Sequence, residues 1–191
     1  MTSPLVSHIK QFVPLTPEEE AIVREHTRVI TVKKKIHLLK EGEVCRSLFF
    51  VGKGLLRMYF INNKGSEQIV HFAKENWWMS DYFSFERREA ATFNIQSVED
   101  CEVYAIDRDR QEELLKVLPS LEKYFRIVFQ RSTAAAQMRM KYQFDLSREE
   151  MYRHFSKAFP DFVQRVPQYM LASYLGLTPE YLSEIRKKKE E

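Results

Sequence analysis

Cysteine is scarce in this chain. Cys45 and Cys101 are the only two among 191 residues, and they lie far apart. No metal-ligand spacing can be built from them, so buried thiols in a reducing cytosol are expected rather than a disulfide scaffold. Long apolar runs are absent. No stretch approaches the ~18 residues of a membrane span. The N-terminal MTSPLVSHIKQF has neither a basic region nor an apolar core of export type. A cytoplasmic protein without membrane contacts is the expectation. Neither sign of charge dominates: 30 Lys and Arg face 27 Asp and Glu, for a net +3. That balance permits nucleic acid as a partner without arguing for it, because only a clustered basic surface would. The five histidines, His8, His26, His37, His71 and His154, are scattered. There is no Ser-His-Asp order, metal cluster or phosphate loop, so an enzyme is not expected. Internal repeats and low-complexity linkers are also missing.

What is present suffices for a folded protein. At 44% hydrophobic residues, the chain can bury one sizeable core, or form a domain of about 120 residues with a small second one. The most informative stretch is Gln168 to Lys189, QYMLASYLGLTPEYLSEIRKKK. Leu171 and Leu175 form an i, i+4 pair on a first helix, and Ala172 is small where two helices cross. Gly176 sits at the turn, where a positive φ costs least without a Cβ. Leu177 points back to the core. Thr178 is placed to N-cap a second helix, with Pro179 at its first position. Leu182 and Ile185 give that helix an apolar face, while Tyr181, Ser183, Glu184, Arg186 and Lys187 take the other. These spacings predict a helix-turn-helix. An ordinary helix pair in a core would carry some of the same features. The basic tail Arg186–Lys189 suits both a helix C-terminus and a phosphate backbone.

Upstream, residues 4–27 read as short helices, one opening at Thr16-Pro17 with Glu18 to Glu20 in its first turn. From Val29 the pattern becomes strands. VITVKKKIHLLKEGE alternates and then turns at Glu41-Gly42-Glu43. SLFFVGKGLLRMYFINNKGSEQIVHFAKENWW supplies three more strands, punctuated by Gly52, Gly54 and Asn63-Lys64-Gly65. Two further strands lie near Ala91–Val98 and Cys101–Asp107. Short strands at this interval predict a β-sandwich or jelly-roll barrel. A short helix over Gln111–Leu118 is followed by a long one opened by Pro119. On it Leu121, Phe125, Val128, Ser132 and Ala135 form a heptad seam, continued by Arg139 and Tyr142, which predicts a second copy of the same helix as partner. Packing on the roll is the other reading. Ser147-Arg148-Glu149-Glu150 is a capping box for a helix to Phe159. Pro160 and Pro167 bracket a short connection.

The order of parts resembles that of the Crp–Fnr family of bacterial transcription regulators over nearly the whole length. Leu39-Lys40-Glu41-Gly42-Glu43 followed by Leu48-Phe49-Phe50-Val51-Gly52-Lys53-Gly54 looks like the hairpin of a cyclic-nucleotide-binding roll. The helix-turn-helix is similar at its apolar and small positions. The resemblance implies an α+β chain: an N-terminal jelly-roll β-roll as sensor over residues 1–117, a dimerisation helix over 118–143, and a C-terminal helix-turn-helix over 144–191. It also implies a homodimer with recognition helices in successive major grooves of double-stranded DNA, and a small-molecule effector of unidentified class.

The resemblance is incomplete at the ligand pocket. The Gly-Glu pair that engages ribose in the family aligns with Ser80-Asp81. The phosphate arginine aligns with Ala91, followed by Thr92 and Phe93, while Arg87 and Arg88 lie earlier in a predicted loop. Of the two positions that would cover the base, Ala136 and Gln137, only Gln137 is polar. Loss of a desolvated arginine–phosphate pair costs ~2–5 kcal/mol, so weak cyclic AMP binding is predicted. Trp77, Trp78, Tyr82, Phe83, Phe85 and Phe93 are expected to fill the former pocket as core, or else to line an apolar-ligand site. No cysteine precedes Cys45, which excludes the family's iron–sulfur mechanism, and His71 is a lone haem-ligand candidate better read as a strand residue. No cofactor is expected. At the reader, Thr178, Glu180, Tyr181, Ser183, Glu184, Arg186, Lys187 and Lys188 are the candidate DNA contacts. Glu180 matches the family glutamate that accepts from cytosine N4, and Glu184 stands where arginine often reads guanine. No full wing is expected after Ile185. A ligand- or partner-binding module that does not read DNA is the alternative function.

Overall fold

The computed structural model describes residues 3–187. Its atomic contacts divide the chain into two units. One holds the residues up to Phe60 together with His71–Phe129; the other holds Ile61–Val70 and the chain from Gln130 onward.

The first unit opens with α1 (Pro4–Ile9), which buries Leu5, Val6 and Ile9. Helix α2 (Pro17–Glu25) starts where the sequence predicts. Thr16 Oγ1 accepts from Glu19 N at 3.3 Å and Glu19 Oε2 accepts from Thr16 N at 2.8 Å, a complete capping box. Strands β1 (Arg28–Val32), β2 (His37–Leu39), β3 (Ser47–Lys53), β4 (Leu56–Ile61), β5 (Glu67–Ala73) and β6 (Trp78–Met79) follow. After α3 (Tyr82–Arg87) come β7 (Asn94–Ser97) and β8 (Cys101–Asp107). They form two four-stranded sheets, ordered β1-β8-β3-β6 and β2-β7-β4-β5. The first strand pairs with the last, Val29 opposite Tyr104, and β8 pairs in turn with β3, Val51 opposite Val103. This is the antiparallel core expected of a jelly roll.

Strand β3 does not alternate, because both its faces are covered: Ser47 to Val51 are all buried. Phe50 meets the rings of His8, Trp78 and Tyr104 at 5.3, 5.3 and 6.2 Å. Each such large side chain removed from water contributes roughly 1.5–3 kcal/mol. Gly54 has φ 99°, and a Cβ there would lie 2.6 Å from Cys101 Sγ and 2.7 Å from Asp100 O, so only glycine closes the β3–β4 turn.

Helix α4 (Arg108–Val117) begins before the predicted Gln111, at the end of β8. Helix α5 (Ser120–Asp145) is the long helix the sequence predicts. Its expected seam needs correction. Leu121 and Phe125 are 0% and 6% exposed within the first unit, so they pack on their own chain and are not offered to a second copy. Val128 is half-buried, whereas Ser132 and Ala135 are exposed. Arg139 also leaves the seam, since its guanidinium is bound within the second unit.

The second unit contains α6 (Arg148–Ala158), α7 (Pro160–Arg165), α8 (Gln168–Leu175) and α9 (Pro179–Lys187). The predicted capping box is present: Ser147 Oγ accepts from Glu150 N at 3.3 Å and Glu150 Oε2 accepts from Ser147 N at 2.9 Å. Where the sequence suggests only a connection between Pro160 and Pro167, there is one short helix, α7. Phe155 gathers Phe159, Phe162 and Tyr174 at ring distances of 5.2, 5.7 and 5.7 Å. Tyr142 of α5 lies 4.6 Å from the His154 ring of α6.

Candidate nucleic-acid interface and sensor pocket

The helix-turn-helix is built by local chemistry. Gly176 takes φ 68° as the C-cap of α8, and Leu177 N donates back to Ala172 O at 2.9 Å. Thr178 Oγ1 accepts from Tyr181 N at 3.2 Å, capping α9. Met170, Leu171, Ala172, Leu175, Leu177, Leu182 and Ile185 are all buried, so the two helices share one apolar core. The polar face of α9 is left outward. Glu180, Tyr181, Glu184 and Lys187 are exposed, with Ser183 and Arg186 half-buried beside them. Glu180, Glu184 and Lys187 follow one another along a single face at steps of four and three. Lys188 and Lys189 lie outside the described residues. A groove of about 470 Å³ borders this unit between Val163, Gln168 and Arg186, with Arg165 on its wall.

Chemically, this face offers two carboxylates, a phenol and a hydroxyl at its centre, with cations toward the helix end. Carboxylates accept from base amino groups such as cytosine N4. Cations neutralise phosphates and suit the negative end of a helix dipole.

The sensor candidates are arranged differently. Asp81 caps α3: Oδ1 accepts from Ser84 N at 3.0 Å and Oδ2 from Thr92 N at 3.2 Å. Its carboxylate therefore holds the cassette together. Ser80 Oγ donates to Ser47 O at 3.0 Å and is buried. Ser84 Oγ accepts from Cys45 N at 2.8 Å and donates to Glu89 O at 2.6 Å. Ala91 is only 3% exposed; its N–H donates to Glu43 O at 2.8 Å and its carbonyl accepts from Gly42 N at 2.9 Å. The β2–β3 loop thus closes directly on the position where the resemblance expects an arginine.

Ser80, Asp81 and Thr92 are brought together; Arg87 and Arg88 are not. They lie at the end of α3 rather than in the predicted loop. Arg87 stacks 4.5 Å over the Phe83 ring, and Arg88, the left-handed C-cap at φ 59°, pairs with Asp109 Oδ1 at 2.8 Å. Gln137 is exposed and belongs to the second unit. Position 91 thus offers a buried methyl group rather than a cation, and both oxygens of the Asp81 carboxylate are engaged by backbone N–H groups. The six aromatics do not fill a pocket as core. Trp78 and Phe85 are buried, but Trp77, just before β6, and Tyr82 and Phe83, on the outer side of α3, are 41%, 41% and 53% exposed. His71 stacks on the Trp77 ring at 6.3 Å, as a strand residue facing its neighbour.

Sequence reasoning missed two features of the first unit. Trp78 Nε1 donates to Tyr124 OH at 2.8 Å, and the same hydroxyl lies 2.9 Å from His8 Nδ1. On β4 the buried Arg57 donates to Gln96 Oε1 from Nε at 3.0 Å and stacks 4.2 Å over Tyr59, whose hydroxyl meets His37 Nε2 at 2.9 Å. The i, i+2 spacing of Arg57 and Tyr59 was the available signal for one shared strand face. Among the described residues no group of three or more His, Cys, Asp or Glu is placed to hold a metal ion, and no helix is long and apolar enough to cross a membrane.

Residues 29–117 match the cyclic nucleotide-binding domain family. No curated protein matches the sequence. Solved structures extend the likeness through both units. The c-di-GMP responsive global regulator CLP of Xanthomonas campestris superimposes with a TM-score of 0.72 at 14% identity, covering 92% of each chain. FixK2 from Bradyrhizobium japonicum gives 0.69 at 15%, over 85% of this chain and 83% of its own. The Thermus thermophilus catabolite activator protein gives 0.58 at 18%, over 95% and 85%. The chain therefore has the fold of these proteins, and residues 29–117 are similar to the cyclic nucleotide-binding domain family.

Proposed function

We propose that the protein is a dimeric, cytoplasmic, sequence-specific DNA-binding transcription regulator of the Crp–Fnr type whose roll does not take cyclic AMP. The observation that carries this reading is the capped α8–α9 turn, with its apolar residues buried and the Glu180–Lys187 face outward. In this reading α9 lies in the major groove, Glu180, Tyr181, Ser183 and Glu184 meet base edges, and Arg186, Lys187 and Lys188 serve phosphates. The likeness to CLP, a global regulator, supports it. Residues 1–117 act as sensor, 118–143 join two copies and 144–191 read DNA, with an effector other than cyclic AMP. Exposed Met138, Met140 and Phe144 on α5, at 45%, 60% and 85%, support a second copy as partner.

The carboxylates Glu180 and Glu184 on the reading face favour a second reading, a module that binds a protein partner or ligand and not DNA. Titrating random duplex DNA at rising salt separates the two. A regulator binds at low salt, and log K falls steeply and linearly with log salt. Selection from random duplexes then yields a two-fold symmetric site. No binding at 50 mM salt rejects the regulator reading.

A further inference from the structure

Strand β5 forms an edge of its sheet. Edge strands carry a row of backbone groups without a strand neighbour. Here a helix supplies the missing partner. Ser173 Oγ, on α8, accepts from Ile69 N at 2.9 Å and donates to Glu67 O at 2.8 Å. One hydroxyl thus does what a neighbouring strand would do with an N–H and a carbonyl. The contact is returned, because Gln68 Nε2 donates to Ser173 O. Arg139 of α5 completes the arrangement. Its guanidinium donates to Val70 O and, at 3.1 Å, to Tyr174 O, and it lies 3.9 Å over the Tyr174 ring. All these residues belong to the second unit. Ile69 is 1% exposed.

The chain gives these bonds a wider meaning. Residues 67–70 cluster with the C-terminal helices, whereas His71 to Ala73 of the same strand belong to the first unit. After Ala73 a single turn, closed by Trp77 N donating to Lys74 O at 3.1 Å, leads to Trp78, Ser80 and Asp81. A strand is stiff along its axis, so displacement at one end reaches the other. We infer that Ser173 and Arg139 form a clasp fastening the β4–β5 hairpin to the first helix of the helix-turn-helix, and that β5 relays changes in the roll to the reader. Its biological consequence rests on the DNA-binding reading above. Its physical content does not, and it is tested without DNA, so failure of either one is a separate result.

The test is amide hydrogen exchange on the full chain. In the native protein the amides of residues 67–70 and of α8 open together. Ser173→Ala, which removes one oxygen and no packing volume, makes the Ile69 amide exchange about ten-fold faster or more and leaves the β8 amides unchanged. Arg139→Lys keeps the charge but loses the fork, and shifts residues 67–70 in the same direction. The relay is read by a third change, Asp81→Ala in the roll. It alters α8 exchange in the native background and no longer does so with Ser173→Ala. Should Ser173→Ala fail to fold, the same comparison is made with Arg139→Lys. Unchanged Ile69 exchange in both variants overturns the clasp. An α8 response to Asp81→Ala that is equal with and without the clasp overturns the relay.

Discussion

Tyr124 and Trp78 share a hydrogen bond of 2.8 Å, indole to phenol, inside the first unit. An indole N–H only donates, so the Tyr124 oxygen is the acceptor, and the same hydroxyl is hydrogen-bonded to His8 Nδ1, 2.9 Å away. Burial pushes the phenol's pKa up, keeping it neutral. Tyr124→Phe leaves the indole N–H without its acceptor in a buried site. A loss of about 1–3 kcal/mol is expected in urea unfolding. In a double-mutant cycle with Trp78→Phe the double variant should lose less than the sum of the two single losses. Full additivity would mean that the bond contributes nothing.

A weak response to cyclic AMP is expected from Ala91 and Asp81. With no cation at Ala91 and the Asp81 carboxylate held by Ser84 N and Thr92 N, 1 mM cyclic AMP should add under ~0.5 kcal/mol of stability. A micromolar site would add about 4 kcal/mol under the same conditions. Thermal melts decide the matter, and Asp81→Ala should itself cost about 0.5–2 kcal/mol through the lost cap.

At the reader, bases and phosphates should respond separately. Arg186→Ala and Lys187→Ala should each weaken binding to all duplexes alike and lower the salt slope by about 1. Glu184→Ala should instead alter preference at one base position, by about 1–3 kcal/mol. Fluorescence anisotropy over a panel of single-base variants distinguishes the two patterns.

Val128 is half-buried in the single chain, unlike Leu121 and Phe125. Val128→Glu should therefore fold, and should sediment as a monomer, because a like-charge pair at a self-contact has no compensation. A normal dimer would move the seam elsewhere on α5.

Asp100 gives the fold a pH dependence. Its carboxylate accepts from Lys33 Nζ at 2.7 Å and Lys34 N at 2.9 Å, and these bonds, that to Lys33 foremost, hold its pKa below the usual range. A depressed carboxylate contributes stability that is full above its unfolded pKa, about 4, and is lost as pH falls through the folded value. Asp100→Asn should flatten the acid limb of the stability curve below about pH 4. High salt should reduce the effect, since the pair is exposed.

Much of this was legible in the sequence because it rests on near neighbours. Gly176, Thr178 and Pro179 specify a turn and a cap within four residues, and the capping boxes at Thr16 and Ser147 are equally local. The strands were readable from alternation and glycine punctuation. What escaped depends on residues distant in the chain. Trp78 and Tyr124 are 46 positions apart, and Ser173 and Ile69 are 104 apart. Nothing in either neighbourhood announces its partner. Helix α3 escaped for another reason. At six residues it is too short to show a period, and its cap Asp81 reads in sequence as a ligand for ribose. Leu121 and Phe125 fit a dimer seam as well as they fit a roll, and only packing distinguishes the two.

The chain passes between its two units three times, at Phe60–Ile61, Val70–His71 and Phe129–Gln130. No single cut can then separate them into intact halves. A fragment ending near Phe129 keeps residues 61–70 but loses the helices that complete them, leaving the β5 edge open to aggregation. A fragment beginning at Gln130 loses Ile69 and Glu67, and with them both partners of Ser173. A chimaera that replaced the C-terminal helices with foreign ones would therefore have to replace residues 61–70 as well.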